Sequence, residues 1–231
     1  MKKKYVQVGL GGRARFFYEA IASTYHQTCE LVGFCDVSQT RMDYANRILV
    51  NKYGQKKVKT CMPSQFEQLL DDVRPAEVII TSVDRTHHDY IIRAMKKGYD
   101  VICEKPLTID EEKAQEIITV QKQTGRSLRV TFNYRYAPYH TKIKELIESD
   151  VIGDVFSIHF EWLLNTQHGA DYFRRWHRNK HNSGGLLVHK STHHFDLVNF
   201  WLNSRPQKVF AFGGLNFYGM HNAEKRGVET F

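Results

Sequence analysis

A short apolar run, Tyr5 to Val8, passes directly into Gly9-Leu10-Gly11-Gly12-Arg13-Ala14 and then into a stretch of helical spacing from about Arg13 to Tyr25. A strand that turns on glycines straight into a helix opens a βαβ unit, and the right-handed return of such units permits few architectures. The alternation continues along the chain. Leu31 to Cys35 reads as the next strand and Thr40 to Tyr53 as the next helix; Lys57 to Thr60, Glu77 to Thr81, Asp100 to Cys103 and Ser127 to Thr131 follow as strands. Between them, Pro63 to Leu70, Arg85 to Lys97 and Asp110 to Thr124 carry helical periodicity, with Thr108 and Glu111 as a capping box and Gly98 and Gly125 marking helix ends. Regular alternation of this kind predicts an α/β fold, a Rossmann doubly wound parallel sheet, over residues 1–131.

The pattern changes at residue 132. A helix carries Ile143, Leu146 and Ile147 on one face, and from Asp154 to Leu164 the apolar Phe156, Ile158, Phe160 and Trp162 alternate with polar residues. A period of two describes a strand buried on one face. A helix over about 187–202 and a strand over 208–213 complete the expectation for residues 132–231: an incomplete α+β domain with an open, mainly antiparallel sheet.

Composition narrows the partners. With 42% apolar and 25% charged residues the chain is an ordinary globular one. A formal charge of +8 favours anions such as a nucleotide or a phosphorylated metabolite. The basic residues are dispersed, from Lys2 through Lys56 and Lys96 to Arg174, with no basic helix or nucleic-acid motif, so no nucleic-acid partner is expected. Cys29, Cys35, Cys61 and Cys103 fall in no metal-binding spacing and read as free thiols in a reducing compartment. Neither a signal peptide nor the roughly 20 apolar residues of a membrane span is present, which predicts a cytoplasmic chain without a membrane partner.

The glycine turn has the G-x-G-x-x-A pattern of a dinucleotide site. Gly9 permits the tight turn, Gly11 lets the backbone approach a pyrophosphate, and Ala14 is small enough for close packing, while the helix N-terminus offers N–H groups to the anion. The second strand ends in Asp36, which suits a ribose 2'-hydroxyl and repels a 2'-phosphate, so the expected cofactor is NAD. Arg41 is able to hold a 2'-phosphate, and NADP stays open on that account. A second motif, Glu104-Lys105-Pro106, follows a strand at the carboxyl edge of the sheet, where ligands of such folds bind.

These motifs together resemble the Gfo/Idh/MocA family of dinucleotide-dependent oxidoreductases, and the resemblance extends over essentially the whole chain. Thr81 to His87 looks like the family's strand-end segment, which implies Asp84 and His87 near the nicotinamide side of the cofactor. Asn133-Tyr134-Arg135-Tyr136 resembles its interdomain segment, and Gly184 to Leu197 its substrate-domain signature. On this resemblance Gly9, Gly11, Gly12, Arg13, Ala14, Asp36, Arg41, Thr81, Asp84, His87, Glu104 and Lys105 form the cofactor site. Lys105 and His193 take the places of the catalytic lysine and histidine, and the implied substrate is a sugar, polyol or related hydroxyl compound. A homo-oligomer is implied for a full-length version. The chemistry agrees with these roles, since histidine ionises near neutral pH and suits a base, and an ammonium stabilises a developing alkoxide.

One position departs from the signature. Where many members carry an acid, this chain has His189, four residues before His193 and expected on the same helical face, which suggests a two-histidine relay. The same pair, with His177, His181 or His194, is a candidate zinc set, disfavoured because a lysine stands where a metalloprotease motif has its acid. Arg174, Arg175, His177 and Arg178, interleaved with Tyr172, Phe173 and Trp176, suit either a wall for a sugar or a solvated loop. Two other functions remain consistent with the residues: dinucleotide binding without turnover, and elimination or glycoside cleavage that uses bound NAD transiently. The first domain leaves only about 100 residues for a second that the resemblance makes considerably longer, so the sequence reads as a C-terminally truncated member ending in Gly227 to Phe231.

Overall fold

The structure, a computed structural model, describes residues 1–228; the closing 229–231 lie outside the described residues. The chain divides into two compact units, Met1–Thr131 and Phe132–Phe231.

The first unit is one sheet of six parallel strands: β1 (Lys3–Val8), β2 (Cys29–Cys35), β3 (Lys59–Cys61), β4 (Glu77–Ile80), β5 (Asp100–Cys103) and β6 (Leu128–Val130), in the order β3-β2-β1-β4-β5-β6. Helices α1 (Ala14–Ala22), α2 (Gln39–Tyr53), α3 (Phe66–Val73), α4 (Asp84–Lys96) and α5 (Glu111–Thr124) make the crossovers. Both sheet faces are covered. Successive residues of a strand point to opposite faces, and of the adjacent Phe34 and Cys35, both fully buried, the first packs with Tyr18, Met42 and Leu49 and the second with Phe66, Leu70 and Ile91. Gln7 is buried as well, and its amide donates to Ala14 O and Thr81 Oγ1, both at 3.1 Å. The strand order reverses beside β1, which places the switch point, and the crevice that accompanies it, at the carboxyl ends of β1 and β4.

The sequence places α5's cap wrongly. The capping side chain is Asp110, which accepts from Lys113 N at 2.9 Å, whereas Thr108 is buried and its hydroxyl makes no hydrogen bond. Asp110 lies next to the first helical residue, where a carboxylate reaches the free N–H groups of the first turn. Gly125 closes the helix in the left-handed conformation, as expected.

The second unit contains α6 (Pro138–Glu148), α7 (Thr166–Arg174), α8 (Lys180–Ser183), α9 (Leu186–His189), α10 (Thr192–Leu202) and α11 (Met220–Glu224). Two expectations are corrected here. Residues 154–164 and 208–213 form no strand among the described residues, and Phe156, Leu163, Phe210 and Phe212 are largely exposed. Alternation defines two faces but supplies no ladder partner, and extended backbone becomes a strand only when a neighbour takes its N–H and C=O groups. The helix expected over 187–202 is broken at Lys190 and Ser191 into α9 and α10. At the break the ladder shortens, His193 N and His194 N donating to Lys190 O and Ser191 O three residues back, and Ser191 stands at the start of α10 without a side-chain cap.

Candidate functional site

In the first unit, the carboxyl edge of the sheet gathers most of the residues singled out above. Gly9 leaves β1 with φ of 80° and lies so near the β4 end that a Cβ would stand 2.4 Å from the Ser82 backbone. Thr81 fastens this contact, its hydroxyl 2.6 Å from Gly9 O. Gly11 and Gly12 differ from Gly9. Neither has a left-handed φ, and a Cβ at either would meet no atom within 4 Å. No protein neighbour therefore demands glycine at 11 or 12, and the loop backbone there is open to a ligand. Arg13, at the cap position of α1, supplies no side-chain acceptor; Ala14 N and Phe16 N are taken up by Gly11 O at 3.0 Å and Arg13 O at 3.2 Å, so an anion at this turn falls to its other amides.

Asp36 is buried at the end of β2. Its carboxylate accepts from Leu10 N at 2.5 Å and from Ser38 N at 2.8 Å, and so holds the glycine loop; Arg41 Nη1 stands 3.8 Å away with a largely exposed side chain. Arg13 Nε donates to the buried Glu104 at 2.7 Å, which ties the loop to the end of β5, and the second Glu104 oxygen accepts from Lys105 N at 3.1 Å. Lys105 itself is half-buried. Asp84 is buried as the first residue of α4. His87 is buried too, its ring nitrogens facing Pro106 O at 2.9 Å and Ser82 O at 3.1 Å. That histidine clamps the Glu-Lys-Pro turn to the β4 end loop, a bracing role that spacing alone does not reveal. These donors and openings fit a dinucleotide: an N–H-rich turn with room beside it for the pyrophosphate, and a carboxylate for the ribose.

In the second unit, the break after α9 separates the two histidines that the sequence places on one helical face. His189 lies among Tyr172, Trp176 and His177, with ring centroids at 5.4, 5.5 and 4.6 Å. His193 instead stacks on Tyr134, centroids 4.0 Å apart and planes within 5°. Lys190 is buried and donates from Nζ to Tyr134 Oη at 2.8 Å. Arg135 grips the buried Asp196 through two hydrogen bonds, one of them Nε to Oδ2 at 2.7 Å, and this ties the 133–136 turn to α10. His194 packs on Trp162 at 4.6 Å, and burial, with Lys190 nearby, pushes its imidazole below the ordinary value. Arg174, Arg175 and Arg178 are exposed, while Tyr172 turns inward. Sequence reasoning missed Tyr134 and Arg135 as partners of His193 and Asp196; the Asn-Tyr-Arg-Tyr motif marks the segment but carries no information on which ring it meets. Among the described residues no cluster of three or more His, Cys, Asp or Glu is placed to hold a metal ion, and no helix is long and apolar enough to cross a membrane.

A doubly wound parallel sheet with this glycine turn at its switch point defines the class, a Rossmann-type dinucleotide-binding protein. Residues 3–132 match the family model for the NAD-binding Rossmann fold of the Gfo/Idh/MocA oxidoreductases, and residues 144–230 match the model of the same family's C-terminal alpha/beta domain. The chain belongs to the Gfo/Idh/MocA oxidoreductase family. It is 38% identical to the YteT protein of Bacillus subtilis (strain 168) over 219 residues, 94% of this chain and 50% of that one. It is 28% identical over 208 residues to glucose-6-phosphate 3-dehydrogenase of the same organism, 87% of this chain and 54% of that one. Among solved structures, myo-inositol 2-dehydrogenase from Lactobacillus plantarum superposes with a TM-score of 0.74 at 20% identity, over 88% of this chain and 57% of that one. The chain thus spans about half the length of these relatives.

Proposed function

We propose that this chain serves NAD(P)-dependent hydride transfer to or from a sugar, a polyol or a related hydroxyl compound. The observation that carries the reading is the pair Gly11 and Gly12, glycines that no protein atom requires, facing open space at the start of α1. Buried Asp36 favours NAD, because a 2'-phosphate beside a carboxylate is repelled. Inositol 2-dehydrogenase of Rhizobium meliloti (strain 1021), 32% identical over 136 residues, and the glucose-6-phosphate enzyme support a carbohydrate-like substrate.

A bound nicotinamide supplies the hydride donor or acceptor. The protein's part is to bind, to orient and to move a proton. Lys105 Nζ is assigned to the substrate oxygen, where a positive charge stabilises a developing alkoxide. His193 is assigned the hydroxyl proton, as an imidazole that ionises near neutral pH suits a base. The stack on Tyr134 orients the imidazole in place of the acid that the resemblance leads one to expect at position 189. Fluorescence titration with NADH and NADPH, followed by a scan of sugars and polyols for cofactor reduction, tests the reading. Support is binding with turnover that falls in Lys105→Met and His193→Gln; the absence of binding by either nucleotide sinks it. Binding with no turnover on any sugar or polyol leaves the alternative of a dinucleotide-binding protein.

A further inference from the structure

Four free cysteines lie in the first unit, and two of them are neighbours across the sheet. Cys35 ends β2 and Cys61 ends β3, paired in register after Gly33 with Lys59 and Phe34 with Thr60. In-register residues of adjacent parallel strands project from the same face with backbones roughly 4.8 Å apart, and a disulfide needs Cα atoms roughly 4.4–6.8 Å apart. Both side chains lie in one apolar cluster, at the ends of two strands that are in register. The other two cysteines are placed differently. Cys29 starts β2, at the far end from Cys35, and fully buried Cys103 ends β5 with its thiol directed at Glu104 O.

We propose that Cys35 and Cys61 form a reversible disulfide, a modification site at the ribose edge of the sheet through which oxidation weakens cofactor binding. The coupling to cofactor rests on the nucleotide reading above, and the bond itself does not. Access comes from β3, the edge strand of the sheet. The link to the site runs through Asp36, which follows Cys35 directly: its N–H meets Cys61 O at 3.4 Å and its carboxylate holds Leu10 N. Joining the sulfurs draws the two strand ends together at the residue that anchors the glycine loop.

The surroundings favour Cys61 as the attacking group. The neighbouring Cys35 thiol, and then the Arg93 guanidinium, push the Cys61 thiol down, while the neighbouring Cys61 and burial push Cys35 up. Arg93 is held there by Glu67 and Asp89 and lies over the Phe66 and Tyr90 rings. With a peroxide as oxidant, the Cys61 thiolate attacks one oxygen, the O–O bond breaks, and the leaving hydroxide takes a proton to become water. Cys35 then attacks the sulfenic sulfur, the S–S bond forms, the S–O bond breaks, and the Cys35 proton leaves with the second water. Two thiols are oxidised by two electrons and one peroxide is reduced. A dithiol reverses the bond and is itself oxidised to a disulfide.

The test uses the full chain, reduced, freed of reductant and exposed to hydrogen peroxide. The expected result is loss of two of the four thiols, a peptide in which Cys35 is joined to Cys61, and NADH affinity roughly tenfold weaker, restored by dithiothreitol. Cys61→Ser is expected to retain Cys35 as a free thiol and to keep its NADH affinity after peroxide. Absence of the joined peptide from the wild-type digest, or Cys61 oxidised alone to the sulfinic acid, overturns the proposal, and this readout needs no variant to fold. A joined peptide with unchanged NADH affinity overturns the coupling. If the reduced chain binds no NADH, the nucleotide reading falls and the coupling with it, while the joined peptide still decides the bond.

Discussion

The glycines of the turn are alike in sequence and unlike in cause, and that difference is testable. At Gly9 a methyl group meets the Ser82 backbone, and φ is left-handed. Gly9→Ala is therefore expected to cost roughly 3 kcal/mol or more of stability, from strain and overlap together. Gly12→Ala meets nothing, so its melting temperature is expected to stay within a degree or two of wild type while the NADH dissociation constant rises roughly tenfold or more. Calorimetry and fluorescence titration separate the two; an unstable Gly12→Ala would show that the loop is held by contacts within the protein. A second contrast lies at Tyr134. If its ring orients His193, Tyr134→Phe keeps the stack and most of kcat, whereas Tyr134→Leu lowers kcat roughly tenfold and shifts the pH profile with little change in KM. Equal losses in both would assign the effect to the hydroxyl that receives Lys190. The residue types of this site were legible in the sequence, since G-x-G-x-x-A, Asp36 and Glu104-Lys105-Pro106 each occupy a position their local element determines. Tyr134 and Arg135 were not legible in role, because partners such as Lys190 and Asp196 lie 56 and 61 residues away along the chain, and His87 was not, because its partners are backbone carbonyls that no residue type marks.

At the scale of elements, the strands and helices of the first unit follow from local signals, each apolar run bounded by its own turn residues. Capping shows the limit of such signals. Asp110→Ala is expected to cost about 1 kcal/mol and to lower the melting temperature by roughly 2–4 °C. Thr108→Val, which removes a buried hydroxyl without a hydrogen bond, is expected to be neutral or stabilising. A larger loss in Thr108→Val than in Asp110→Ala would restore the capping box expected from the sequence. In the second unit the helical period carries through Lys190 and Ser191, yet the backbone does not, so His189 and His193 face different neighbours. Hydrophobic period reports which residues seek burial; it does not report where the i→i−4 ladder lapses, as it does between Ser191 N and Phe195 N.

For the molecule as a whole, acid is the informative variable. Burial pushes His140 and His194 below the ordinary 6.5, and neither His140 ring nitrogen has a hydrogen-bond partner; its neighbours are the Tyr134, Tyr139 and Trp201 rings. The unfolded chain takes up these protons more readily than the folded one, so the stability they represent is full above about pH 6.5 and lost as pH falls below it. Glu19 is pulled down to about 2 by Lys52 first and then Tyr53, so its contribution is full above about pH 4.5 and lost as pH falls towards 2. Melting temperatures are expected to be level above neutrality and to decline in two stages, with His140→Phe reducing the first and Glu19→Gln the second. A melting temperature unchanged from pH 8 to pH 5 would contradict the first stage. By itself the sequence determined the parallel α/β sheet, the glycine turn and the acid beyond β2, because each depends on backbone geometry and periodicity within about thirty residues. Tertiary structure alone decided that Gly9 abuts Ser82, that His193 stacks on Tyr134 while His189 turns away, and that Cys35 stands beside Cys61. Those are meetings of distant segments, and they are set by packing in three dimensions, which no local pattern encodes.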